Sequence, residues 1–284
     1  MSRTGAGPRR AAAALAALLT LTLAGAGCRQ QQTPEPTTPP QATGGTDPVR
    51  FRVLVFTRTA GFRHRSISDG VAAIRRLGRG HGFAVEDSAD PGRIGRGLAG
   101  YRAVVFLSTT GDLLDIDQQA ALRRYLQGGG GWVGVHAAAD AEYDWPWYGG
   151  LVGAWFRHHP PVQRATVRPA PGAAALAGKL PARWERTDEW YDFATNPRGR
   201  VRVLATVDES TYTGGAMGTN HPIAWCHEYD GGRAWYSAMG HTSESFQEPR
   251  FLAHLLAGIR YATGQTATGC DPGLQTRPLV PHPG

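Results

Sequence analysis

Gly128-Gly-Gly-Gly-Trp-Val-Gly-Val-His136-Ala-Ala-Ala-Asp140-Ala-Glu142-Tyr143-Asp144-Trp-Pro-Trp-Tyr148 is the stretch whose reading decides the fold. The amphipathic run Ile116 to Leu126 precedes it, and the glycines end that helix. Trp132 to Val135 is then a short apolar strand, after which small residues carry His136, Asp140 and Asp144. The order helix, turn, buried strand, polar loop places these three at the carboxyl end of a strand. In an open α/β sheet that edge is where ligands bind, because the helices leave a crevice there uncovered.

Working outward, Phe51 to Phe56 reads as a buried strand followed by the polar loop Thr57 to Ser66, which contains His64. A helix is expected from Ser68 to His81, with Val71, Ile74 and Leu77 on one face and Gly80 and Gly82 near its end. Strands follow at Phe83 to Glu86 and Ala103 to Leu107, the latter running into Ser108-Thr109-Thr-Gly-Asp112. Asp115 with Gln118 has the form of a helix-start capping pair. Strand, helix, strand, strand, helix, strand with short connections implies parallel pairing and right-handed crossovers. His64, Ser108 to Asp112, and His136 to Asp144 are thereby expected around one crevice.

The second half alternates less regularly. Strands are expected at Val162 to Arg168, Glu189 to Phe193, Val201 to Val207, Ile223 to His227 and Arg233 to Ala238. The turn Asp230-Gly231-Gly232 makes the last two a hairpin, and a closing helix spans Pro249 to Ala262. The expected fold is a single α/β domain over 49–264: a mainly parallel, flavodoxin-like sheet with helices on both faces and additional β-strands in the second half. Residues 265–284 read as an extended, Pro-rich tail.

The 284 residues are 41% hydrophobic, enough for a globular core. Arg3, Arg9 and Arg10 precede the apolar run Ala11 to Ala24, so residues 1–28 read as a signal peptide. Leu23-Ala-Gly-Ala-Gly27 before Cys28 resembles the lipobox of bacterial lipoproteins, with Gly25 departing from its usual aliphatic residue. The expectation is a membrane partner through a lipid anchor on Cys28; the plainer alternative is secretion after cleavage nearby. Residues 29–48, rich in Pro, Gln and Thr, read as a disordered linker. Losing the three leader arginines takes the formal charge from +7 to +4, and Lys179 is the only lysine. With no Lys/Arg cluster interleaved with aromatics, no nucleic-acid partner is expected.

Histidines in site-like contexts are His64, His136, His158, His159, His221 and His241. None has the helical spacing of a zinc-protease motif, and there is no Cys-x-x-Cys. No cofactor is specified; a divalent metal such as zinc, held by separate loops, stays open. The plainer reading of any single histidine is a hydrogen-bonded, partly buried side chain. His136 is the exception, because a histidine directly after a buried strand has little packing reason to be there.

Asp140, Glu142, Asp144, Asp188 and Glu189 are carboxylates for acid and base work or for holding sugar hydroxyls, against the alternative of capping turns. Trp145, Trp147, Tyr148, Trp190 and Tyr191 beside them suit carbohydrate rings or, equally, a core. The candidate catalytic set is His136, His64, Asp140, Glu189 and His241. The candidate binding set is Thr109, Asp112, Tyr143, Asp144, Trp145, Trp190 and His221. Covalent catalysis is the weaker reading, since Cys226 sits in a strand pattern and Ser108 lacks a Gly-x-Ser-x-Gly frame. Of three cysteines, lipid on Cys28 would leave Cys226 and Cys270 to form a disulfide in an oxidising compartment. The alternative is a buried thiol at Cys226 and a free or intermolecular one at Cys270.

Together these residues resemble the ThuA-like (trehalose utilisation) family, whose fold is that of the class I glutamine amidotransferase-like group. The resemblance rests on Gly61 to Ile67, Val104 to Asp112, Gly130 to Asp140, Tyr143 to Tyr148, Asp188 to Tyr191, and His221 to Cys226 through Gly240-His-Thr242. It covers about residues 50 to 264. Amidotransferases carry a cysteine on the turn after the strand ending at Val135; His136-Ala137-Ala138 stands there, so no glutamine hydrolysis is expected. The resemblance implies a role in disaccharide and sugar metabolism. The expected function is an extracytoplasmic enzyme on a sugar or oxidised sugar, or the partner of a sugar-oxidising enzyme. The alternative is a non-catalytic carbohydrate-binding or scaffold module.

Overall fold

β1 (Phe51–Phe56), β2 (Phe83–Ser88), β3 (Ala103–Leu107) and β4 (Gly131–Val135) pair in parallel in the order β2-β1-β3-β4. The computed structural model describes residues 49–272, so the expected signal peptide, Cys28 and the linker lie outside the described residues. Every residue of β3 and β4 is buried, which is why both read as unbroken apolar runs rather than as alternation. α1 (Ile67–His81) joins β1 to β2 and ends on Gly82 at φ 71°, a left-handed cap that glycine adopts without strain. α2 (Ile116–Gln127) starts at a full capping box, with Asp115 accepting from the backbone of Asp117 and Gln118 while the Gln118 side chain accepts from Asp115 N–H.

Beyond α3 (Pro146–Val152), the chain adds β5 (Gln163–Pro169), β6 (Trp184–Asp188), β7 (Arg202–Asp208), β8 (His221–Tyr229) and β9 (Gly232–Ser237) to the same sheet. The nine strands run β2-β1-β3-β4-β9-β8-β7-β5-β6. β9 lies parallel to β4, and each strand from β8 outward is antiparallel to its neighbour. The β8–β9 hairpin turns on Asp230 (φ 45°) and Gly231 (φ 89°), the paired positive φ values of a tight hairpin turn. α4 (Pro249–Ala262) closes the fold against β9 and β4. Helices cover both faces. Trp235 packs on α4, where a Cβ at Gly258 would come within 2.5 Å of it, while Trp132 and the next residue, Tyr236, point the other way towards Gly134. Trp132 also meets Tyr148 of α3 edge-on at 5.9 Å. A fully buried aromatic of this kind is worth roughly 2–3 kcal/mol relative to an exposed one.

One expected strand is displaced. Instead of Glu189 to Phe193, the strand is Trp184–Asp188, and Asp192–Phe193 forms only a short pair with Phe156–His158. Its inward positions are Trp184, Arg186 and Asp188, and the two charges neutralise each other at 2.9 Å. Charged residues on the core side disguise its period-two pattern. Past α4, Cys270 is buried and disulfide-bonded to Cys226 of β8, the first of the two alternatives weighed for these cysteines, and Arg202 donates to the Gly269 carbonyl at 2.8 Å. The first residues after α4 are therefore docked rather than extended.

Candidate functional site

β4 ends at Val135, and His136 leaves it at φ 52°, in the left-handed region that a non-glycine residue adopts only under strain. Ser108 does the same after β3, at φ 48°. His136 is completely buried, and its Nδ1 lies 2.7 Å from the carbonyl of Ala238, just beyond β9. A carbonyl only accepts, so Nδ1 carries the proton and a neutral ring presents a lone pair at Nε2. Around Nε2 are His64 Nε2 at 3.1 Å, His241 Nδ1 at 3.2 Å, the Tyr191 hydroxyl at 3.1 Å and Glu189 Oε2 at 3.4 Å.

His64 comes from the loop after β1, Glu189 from the end of β6, and His241 from the segment after β9. The four ligand-type atoms of His64, His136, Glu189 and His241 all lie within 4.8 Å of one another. Burial, with His136 and His241 beside it, drives the His64 imidazole down to about 3, so it stays neutral. Burial opposes the charge on Glu189, but the His136 and His241 rings beside it outweigh burial and hold the carboxyl well below the usual range. The bond to Glu189 in turn raises His241. Several lone pairs thus face each other with few protons between them, an arrangement that a shared cation would relieve. Imidazole nitrogens and a carboxylate oxygen are zinc-type ligands, and about 3.3 Å is the ligand-to-ligand spacing around a tetrahedral centre with bonds near 2.0–2.1 Å.

A cavity of about 240 Å³ opens from the cluster, lined also by Phe62, Asp140, Phe156, His159 and Tyr191. Burial raises the Asp140 carboxyl, although the Tyr143 hydroxyl donates to its Oδ1 at 2.7 Å. His159 Nδ1 reaches Glu189 Oε1 at 3.1 Å. A second cavity of about 380 Å³ shares Phe62, His64 and His241 and adds Arg65, Thr242 and Glu244. A larger concavity of about 490 Å³, around Tyr101, Arg102 and Tyr125, lies at the amino ends of the strands, away from the histidine cluster.

The other expected residues are placed differently. Thr109 is fully buried, and Asp112 and Asp144 are exposed. Trp145 precedes α3 and stacks on Trp147 at 4.8 Å. Trp190 is buried, with its indole N–H donating to the Gln163 carbonyl at 2.9 Å. None of these five lines either cavity. His221 belongs to a separate cluster with Glu209 and Asp192: its Nδ1 meets Glu209 Oε1 and its Nε2 the Tyr191 carbonyl, both at 2.8 Å. Tyr191 and His159, noted in the sequence for their contexts but left out of the candidate catalytic and binding sets, both line the cavity at the cluster. The signal for Tyr191 was its place two residues after Glu189; the ring lies 4.4 Å from that of His136.

The ThuA family model, described as trehalose utilisation, matches residues 52–262. The chain belongs to the ThuA family. Its fold is similar to that of a ThuA-like protein from Bacteroides uniformis ATCC 8492, with a TM-score of 0.66 and 24% identity, over 85% of this chain and 100% of that one. A ThuA-like protein from Parabacteroides merdae ATCC 43184 is similar at TM-score 0.63 and 21% identity, over 78% and 92% respectively. None of the curated proteins compared with this ThuA-family chain matches it.

Proposed function

We propose that this ThuA-family chain is a divalent-metal-dependent enzyme acting on a disaccharide or oxidised sugar outside the cytoplasm. The observation that carries the reading is the convergence of His64, His136, Glu189 and His241 within 4.8 Å, with the His136 Nδ1 proton committed to the Ala238 carbonyl. A divalent metal such as zinc, when bound, supplies Lewis-acid polarisation of a sugar oxygen. Asp140 faces the same cavity with its carboxyl raised by burial, so it is suited to taking a proton from a substrate hydroxyl or carbon and returning it. Tyr143 holds that carboxylate in place through its hydroxyl. Phe62 and Phe156 offer apolar faces to the C–H side of a sugar ring. The two cavities meeting at His64 and His241 suit a substrate of two units.

Glutamine hydrolysis is not part of the proposal: His136 stands where a thiol would be needed, and Cys226 is held in a disulfide. That disulfide, the Arg-then-apolar start of the chain and Cys28 support an exported, lipid-anchored protein. A sugar-oxidising enzyme in the same compartment would supply an oxidised substrate. The test is metal analysis of the purified chain, followed by a panel of disaccharides and their keto forms scored for binding and for product. The expected result is close to one metal per chain, with turnover lost on chelation and restored by metal. Sugar binding without turnover would instead favour a carbohydrate-binding module, and neither metal nor sugar binding would overturn the proposal.

A further inference from the structure

Asp188, the last residue of β6, is completely buried and supplies no ligand, yet it ties together two of the segments that do. Its Oδ1 accepts from the backbone N–H of Glu189 and of His241, each at 3.0 Å. Its Oδ2 accepts from Gly240 N–H at 2.9 Å, Arg186 Nη2 at 2.9 Å and Ser245 Oγ at 3.4 Å. All five partners are donors, so only a carboxylate fits; an amide would turn its NH2 towards other N–H groups. Gly240 at φ 117° aims its own N–H and that of His241 at one carboxylate, in a conformation that side chains disfavour.

We propose that Asp188 is a positioning residue for the histidine–glutamate centre. Through three backbone bonds it locks the end of β6 to the turn after β9, and so sets the 3.1 Å separation of Glu189 Oε2 and His241 Nδ1. A buried ion pair such as Arg186–Asp188 adds little net stability over apolar packing, although removing one partner alone strands the other charge; the positioning role rests on the three backbone bonds. Outer hydrogen bonds of this kind orient ligands, and losing them typically weakens metal binding about 10–100-fold.

This role rests on the metal-centre reading, and the test separates the two. Zinc affinity of the full chain would be measured by competition, and the Co(II)-loaded protein read by its visible absorption. Asp188→Asn is expected to lower zinc affinity about 10–100-fold and to alter the Co(II) bands. Ser245→Ala, which removes the bond to Asp188 Oδ2 together with the Ser245 contacts to Arg186 and Thr242 but leaves the three backbone bonds, should change neither by more than about twofold. If Asp188→Asn fails to fold, Gly240→Ala carries the test, because it displaces the same N–H pair without touching the carboxylate; it too should weaken zinc and shift the bands. Wild-type affinity and spectrum in a folded Asp188→Asn chain, or in Gly240→Ala, would overturn the positioning role alone. A wild-type chain that takes up no metal would overturn both readings.

Discussion

His136 and His221 are both completely buried and both lie beside a glutamate, His136 3.4 Å from Glu189 and His221 2.8 Å from Glu209. Composition does not separate the two clusters; the destination of the second ring nitrogen does. At His221 both nitrogens already face protein oxygens, and Glu209 Oε1 also accepts from the backbone of Met217 and Gly218. At His136 one nitrogen is anchored to a carbonyl and the other looks onto two further imidazoles, a carboxylate and the Tyr191 hydroxyl. The first cluster is closed by the protein itself, and the second is open to a cation. A histidine and a carboxylate within reach therefore say little until each nitrogen has been followed to its partner.

The largest effect expected from this contrast is in His136→Ala, which should lower zinc affinity by about a thousandfold or more, measured by competition with a chelating dye. Thermal stability without metal should change far less. His221→Ala should behave the opposite way, costing about 1–3 kcal/mol in denaturant unfolding for each partner left unsatisfied, because the Tyr191 carbonyl and Glu209 both lose a buried hydrogen-bond partner. Its zinc affinity should stay within a few-fold of wild type. A comparable loss of zinc in both variants would erase the distinction between the clusters.

His254 offers a sharper control, since it copies half of the His136 arrangement. Its Nδ1 donates to the Ala177 carbonyl at 2.6 Å, but its Nε2 meets the Ser237 hydroxyl at 3.2 Å rather than other ligands. Burial drives this imidazole down to about 4 from an ordinary value of 6.5. Between those values the unfolded chain binds the proton that the folded one refuses, so stability falls as the pH drops from about 6.5 through about 4. The loss is on the order of 3 kcal/mol for this residue. His254→Asn keeps a donor for Ala177 and should flatten that limb of the stability-versus-pH curve. A curve as steep as wild type would mean that the group does not titrate on unfolding. The smallest effect is reserved for Tyr143→Phe: loss of one hydrogen bond to Asp140 should cost about 1 kcal/mol in kcat/KM on a sugar substrate, with zinc affinity unchanged.

Much of the parallel half was legible because strands buried on both faces read as continuous apolar runs, as in Val53 to Phe56 and Ala103 to Leu107. His136 was legible for the same reason: a polar residue at the end of such a run has nowhere to go but the edge. The antiparallel half was less so. Trp184–Asp188 buries Arg186 and Asp188, and a pair that neutralises itself across two positions cannot be told from a solvent-facing run without coordinates. Misplacing that strand put Glu189 inside it, whereas the residue stands just past its end, where it can join His64 and His241. Trp190 was expected at the substrate and lies in the core, because an aromatic beside a carboxylate suits either environment. That β5 to β9 extend one sheet instead of forming a second layer depends on pairings between distant segments, which no local pattern reports.

The left-handed backbone at Ser108 and His136 carries a consequence for anyone redesigning this scaffold. Glycine would relieve roughly 1–2 kcal/mol of torsional discomfort at each position, so a search for heat tolerance judged only on folded-state energy would favour it at both. At His136 that choice would remove the imidazole at the centre of the cluster. One of these two substitutions on the carboxyl edge is therefore also the one that would empty the proposed metal centre.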